Sequence, residues 1–288
     1  MTILIYGIIN SFALALMAIG FTLVYGISRL PNFAHGALYV ITGFLVWSLI
    51  NLLKLHYAIA IPLALMIMAL VGAAIYRFVL IRVRGMATSE IIATYALGLA
   101  ILEFLRWGGF KGMTYTLPVF IEGSINIGGI PVDFQRIIVI AIGIVVVTFM
   151  WLFTHFNKIG LALRGMAQDE HAAMMLGIDS DRMAVIAMAM GSMLAGLSAI
   201  ALLPLGNIVV EAGYNVLILS IAVCIVGGLG SWVGAILAAF MIGFLQIITV
   251  AYIESHFQMV VALLAIIITL ILRPSGLFGR QKELEERV

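Results

Sequence analysis

The 288-residue chain is 64% hydrophobic and only 10% charged, with a mean hydropathy of +1.23, which is more apolar surface than a soluble domain of this length can bury. Its apolar runs are unbroken over about 17 to 25 residues instead of alternating over about ten, so the backbone must be satisfied in lipid by helices and not by a closed barrel. A net charge of +2, with the cations scattered in ones and twos, offers no basic block to a nucleic acid.

These features predict an all-α integral membrane protein, a polytopic helical bundle forming one domain over residues 1–288. The first apolar stretch has no Lys or Arg ahead of it and exceeds a signal-peptide core, so it reads as a retained first helix. Full spans follow from apolar length and flanking polar residues at 3–27, 33–53, 57–80, 90–107, 134–156, 183–203, 233–252 and 257–272, eight in all. A ninth apolar piece, 214–226, is short for a crossing and stops at Gly227-Gly228-Leu229-Gly230. It is either a half-helix or a tight-fitting ninth span.

Orientation follows from the cations, which are in excess in short cytoplasmic loops. With the N-terminus outside and the 214–226 piece crossing, Arg29, Arg77, Arg82, Arg84, Lys158, Arg164, Arg182, Arg273, Arg280, Lys282 and Arg287 fall inside. Only Lys54, Arg106, Lys111 and Arg136 of the 15 cations lie opposite. The C-terminus is then cytoplasmic. The longest outer stretch, 108–133, carries Gly108, Gly109, Gly112, Pro118, Gly123, Gly128, Gly129 and Pro131 as turn residues and reads as a surface loop, open to docking.

The inner stretch 157–182 is too charged to span yet keeps apolar residues at helical spacing. Within it Asp169 is placed to cap a helix N-terminus, Gly177 to form a left-handed C-terminal cap, and Asp179 or Ser180 to cap the next span. One reading of the short helix is an amphipathic element lying on the headgroups. The other is a helix that docks into a cytosolic partner and transmits its movement to the flanking spans, for which unbranched methionines suit the contact surface.

Polar residues at membrane depth are costly against lipid and mark candidates for a translocation pathway. Asn32, His35 and Gly36 open the second span. The pathway reading has Gly36 admitting close backbone approach and His35 offering a hydrogen bond, and the structural reading has Asn32 capping the helix and His35 packing against neighbouring backbone. Gly227, Gly228 and Gly230 allow a sharp break whose exposed backbone groups would line a route or act as a hinge, while Gly234 suits plain helix packing. Glu103 and Arg106 neutralise each other at i, i+3, and Cys224, the single cysteine, is a small hydrophobe within an apolar run.

The stretches NFAHGALYVITGF (32–44), GLALRGMAQDEHAAMMLGID (160–179), GGLGSWVGAILAAFMIGF (227–244) and RPSGLFG (273–279) resemble the inner-membrane permeases of the branched-chain amino acid ABC importers, in the same order from the first span to the tail. The chain is similar to the shorter of that family's two permeases. The resemblance implies an assembly in the bacterial inner membrane of two related permease subunits, two cytoplasmic ATPases and an extracytoplasmic solute-binding protein. It also implies that the loop bearing Arg164, Met166, Ala167, Asp169, Glu170, Met174, Leu176 and Gly177 engages the ATPase. No GxxxxGK[ST] phosphate loop occurs, so ATP is expected on the partners, with no cofactor, metal or catalytic residue here.

One departure stands out: Asn215-Val216-Leu217 occupies the place where the family often has Lys-Ala-Phe. The missing positive charge widens the expected cargo from branched-chain amino acids to urea, amides or other amino acids. An ion-coupled secondary transporter is the alternative class, and it normally needs an intramembrane carboxylate or unwound ion site. The middle of the spans holds no Asp, Lys or Arg. An intramembrane enzyme would need a dyad or metal set that His35, Glu103 and Cys224, on different spans, do not form.

Overall fold

The computed structural model describes residues 1–29, 31–111 and 114–279. Gly112, expected in an outer loop, and the cations Arg280, Lys282 and Arg287, expected on the inner side, lie outside the described residues. The helices are α1 (Thr2–Ser28), α2 (His35–Asn51), α3 (Tyr57–Ile75), α4 (Ile81–Val83), α5 (Ala87–Phe104), α6 (Phe134–Phe156), α7 (Lys158–Gln168), α8 (Glu170–Met175), α9 (Ser180–Leu202), α10 (Glu211–Gly227), α11 (Trp232–Tyr252) and α12 (Gln258–Leu272). Widened π-helical turns continue α3 through Tyr76–Leu80 into α4, and α5 through Leu105–Phe110. Seven of these helical stretches are long and apolar enough to cross a membrane, and α2 and α10 are shorter apolar helices of 17 residues each.

The centre of the bundle is built from α1 and α9, which pack on each other. Around them α11 and α6 lie on α1, α3 lies on α9, and α2 and α10 fill the remaining space. Small residues set these distances, as van der Waals packing is what holds helices together in lipid. A Cβ on Gly72 of α3 would fall on Ser192 Oγ and the Met188 carbonyl of α9, and one on Gly36 of α2 would fall on the Gly213 carbonyl of α10.

Helix α2 does not start at the rim of the bundle. His35 Nε2 donates to the Met17 carbonyl at 2.9 Å, and Ser220 Oγ donates to the same oxygen at 3.0 Å. Met17 lies near the midpoint of α1, so α2 begins at that level. The beginning of α10 overlaps it through Gly213. The apolar piece expected at 214–226 is a helix of 211–227 whose middle, at Ser220, meets Met17 and whose first residue, Glu211, is exposed and pairs with Arg106 at the end of α5.

The stretch 108–133 is more than a surface loop. Phe110 and Leu117 are buried, and Tyr115 lies against Phe44, Trp47 and Phe110, with its ring centroid 4.1 Å from that of Trp47. The Ile208 amide donates to the Tyr115 carbonyl at 2.7 Å. Gln135, itself buried, accepts from the Phe120 amide at 3.1 Å and donates to the Ala201 carbonyl at 2.9 Å. The rest forms an antiparallel hairpin, β1 (Ser124–Ile127) and β2 (Ile130–Asp133), paired from Ser124↔Asp133 to Ile127↔Ile130. Gly128 and Gly129 turn it with φ of 59° and 86°, as a two-residue hairpin turn requires.

After α12 the tail folds back into the bundle. The Leu277 amide donates to the Val226 carbonyl at 2.9 Å and the Phe278 amide to the Gly227 carbonyl at 3.0 Å, which satisfies the carbonyls left open at the end of α10. Gly276 makes this possible: its φ is 79°, and a Cβ there would fall on the Ile225 carbonyl and the Gly228 backbone. Gly276→Ala is expected to cost about 1–2 kcal/mol from the backbone conformation alone, with the clash added. Faster proteolysis of residues 273–279 in the variant than in the unaltered protein is the expected readout; equal rates would show that the tail is not held by this contact.

Candidate functional site

The stretch between α6 and α9 folds as two short helices whose caps are supplied locally. Asn157 Oδ1 accepts from the Ile159 amide at 2.9 Å to start α7, and Asp169 Oδ1 accepts from the Ala172 amide at 2.9 Å to start α8. At the end of α8 the Gly177 amide donates to the Met174 carbonyl at 2.9 Å and the Ile178 amide to the Ala173 carbonyl at 3.2 Å, a Schellman arrangement closed by Gly177 at φ 84°. Asp179, and not Ser180, caps α9, accepting from the Arg182 amide at 3.1 Å. Asp169→Ala is expected to destabilise α8 by about 1 kcal/mol, seen as faster amide exchange at Ala172 and Ala173 with the spans unchanged.

The side chains of this segment divide into two sets. Leu163 and Met166 of α7 are buried, Ala167 approaches Gly26 of α1, and Ala173 is the one buried residue of α8. Glu170 turns toward the bundle, accepting from Ser180 Oγ at 2.6 Å and Arg84 Nη2 at 2.7 Å. Partial burial works against the Arg84 charge, but Tyr76, Asp181 and Glu170 outweigh it and raise its pKa above the ordinary arginine value. On the other side Arg164, Asp169, Met174 and Gly177 are exposed, and Met175 and Leu176 project furthest, at 89% and 84% exposure. The sequence places Met175 on the mixed face of this helix but assigns Met174, not Met175, to the docking set: in a six-residue helix, spacing alone does not decide which of two adjacent methionines faces away.

The residues expected to line a route are not brought to one place. Asn32 Oδ1 accepts from the Ala34 amide at 3.1 Å, so it shapes the turn ahead of α2, whose N-cap position is Ala34. His35 staples α2 to α1 and meets Phe21 edge-on at 5.7 Å between ring centroids. Asn32 borders a narrow cleft shared with Val24, Ile27, Tyr76, Glu90 and Met188. Gly36 borders a second narrow cleft with Phe33, Tyr95, Gly98, Gly213 and Tyr214. Gly227, Gly228 and Gly230 border neither. Their carbonyls do not open to a cavity as a break in the chain suggested, because the 273–279 tail occupies that side, and Gly230 lies against Gly26.

Residues 3–272 match the family model described as "Branched-chain amino acid transport system / permease component". The chain belongs to this family. Among characterised relatives, the high-affinity branched-chain amino acid transport system permease protein BraD of Pseudomonas aeruginosa is 28% identical, covering 96% of this chain and 95% of its own. The permease protein LivH of Escherichia coli is 27% identical, covering 92% and 91%, and the probable LivH of Methanocaldococcus jannaschii is 28% identical, covering 95% and 90%. Among solved structures, PsaBC from Streptococcus pneumoniae in complex with Fab superimposes with a TM-score of 0.53 at 15% identity, covering 100% of this chain and 96% of that one. That likeness is one of fold. The chain is accordingly a multi-pass membrane permease component.

Proposed function

We propose that this chain forms one side of the conducting pathway of an ATP-driven importer for aliphatic amino acids in the inner membrane, with α8 as the element that docks a cytoplasmic ATPase. The observation that carries the reading is the side-chain division of 157–182: one face is built into α1 and α9, and the other presents Met175 and Leu176 beyond a capped, rigid turn. Two apolar side chains held out at the charged end of a bundle are what a groove on a partner would bury. The orientation that goes with it places the N-terminus outside and the C-terminus in the cytoplasm.

The remaining partners are a second, related permease, a second ATPase and an extracytoplasmic solute-binding protein, with ATP on the ATPases and no cofactor on this chain. The route runs past the start of α2, where the cleft at Gly36 offers apolar walls and the tyrosines Tyr95 and Tyr214. Asn215, exposed on α10, leaves that approach without the positive charge common in relatives, so the cargo panel must include urea and amides as well as leucine, isoleucine and valine. Purification from native membranes tests the assembly. Recovery of a second permease and two ATPases, with hydrolysis stimulated by one solute and its binding protein, is expected; recovery of the chain alone, with uptake driven by an ion gradient, would replace this reading with a secondary transporter.

A further inference from the structure

Helix α8 is six residues long and buries one side chain, Ala173, too little apolar contact to fix its position against the spans. What holds it there is polar. Arg84, just past α4, sends Nη2 to Glu170 Oε1 at 2.7 Å and also engages the Asp181 carboxylate and the Ser180 hydroxyl. Ser180 Oγ donates to the same Glu170 oxygen. Tyr76, in the widened turn that ends α3, donates its hydroxyl to Asp181 Oδ1 at 3.1 Å. The turn carrying Arg84 is itself fixed, since the Gly85 amide donates to Glu90 Oε1 at 2.8 Å.

One cation therefore ties the end of α3–α4 to the start of α8 and the start of α9, two elements that residues 176–179 already join. From that point α3 and α9 run together in close contact at Gly72 and Ser192, a packed pair of helices. We propose that Arg84 is the positioning residue that fastens α8 to the α3–α9 pair, so that displacement of α8 by a docked ATPase moves both spans together. This rests on the reading of α8 as the docking helix. With Arg84, Glu170 and Asp181 side chains 34%, 32% and 49% exposed, such pairs add little to overall stability. Their contribution is to geometry, and removing them leaves α9 joined to α8 through the chain while α3 loses its direct tie and keeps only its packing on α9.

The test uses the complete importer in proteoliposomes with leucine as the probe, and a photocrosslinking side chain at Met175. Arg84→Asp is expected to keep the crosslink from 175 to the ATPase and to keep hydrolysing ATP, while leucine moved per ATP falls roughly tenfold, the usual size of a coupling effect. Adding Asp181→Arg restores a cation between two carboxylates and is expected to recover transport per ATP to within about threefold of the unaltered protein. Absence of the crosslink in the unaltered protein would overturn the docking reading beneath the proposal. A crosslink with unchanged transport per ATP in Arg84→Asp, or no recovery in the exchange, would overturn the role of Arg84 alone. So would loss of the assembled complex in Arg84→Gln, which would make it a folding residue.

Discussion

Placing aspartates at Met175 and Leu176 together is expected to abolish solute uptake while leaving the permease inserted and folded. Both side chains point away from the bundle, at 89% and 84% exposure, so nothing within the chain depends on them. In the assembly the same side chains would be buried, and burying a Met or Leu contributes about 1.5–3 kcal/mol each. Losing both weakens ATPase association by roughly a hundredfold or more, and a buried carboxylate without a partner weakens it further. Binding of purified ATPase to permease in nanodiscs, measured alongside uptake, checks this. Retained binding and retained uptake in the double variant would show that α8 is a headgroup helix and that docking occurs elsewhere.

Gly36→Leu is expected to have the largest effect on the bundle itself. The space a Cβ needs at Gly36 is already occupied by the Gly213 carbonyl, with the Leu217 Cβ close behind. These are backbone and near-backbone atoms with no rotamer to escape into. Overpacking of this kind costs about 1–3 kcal/mol even where side chains can shift, and here α2 and α10 must separate, which also pulls His35 and Ser220 away from the Met17 carbonyl they share. Gly165→Ala supplies the contrast: it lies within α7, with open space around the added methyl, and removing a helical glycine should stabilise by about 0.5–1 kcal/mol. Thermal unfolding of the two variants in one detergent should shift in opposite directions. Equal midpoints would mean that the α2–α10 crossing is looser than its geometry.

What the sequence disclosed and what it withheld divide by the range of the interaction. The caps at Asp169, Gly177 and Asp179 are legible because each is made with an amide or carbonyl within four residues. The apolar spans are legible because their length is set by lipid, not by each other. The hairpin at 124–133 was within reach, since Ile125, Ile127, Ile130 and Val132 alternate around Gly128-Gly129, but the turn residues on either side read as an irregular loop. Two features were beyond a local reading. The Gly227–Gly230 break looks open until residues 50 positions later are seen to fill it. The partner of Glu170 is Arg84, 86 positions earlier, and no spacing rule connects them.

The return of the tail to the end of α10 has a consequence for how the protein is made. Among the described residues, the carbonyls of Val226 and Gly227 accept from the amides of Leu277 and Phe278, so α10 enters the membrane with its C-terminal end incomplete and keeps it so through the synthesis and insertion of α11 and α12. Until the ribosome has delivered residue 278, water or the translocation machinery must serve those groups. The tail can close this seam only after α12 is made, and a nascent chain halted before the RPSGLFG segment would hold its long helices yet leave the seam open to quality-control proteases.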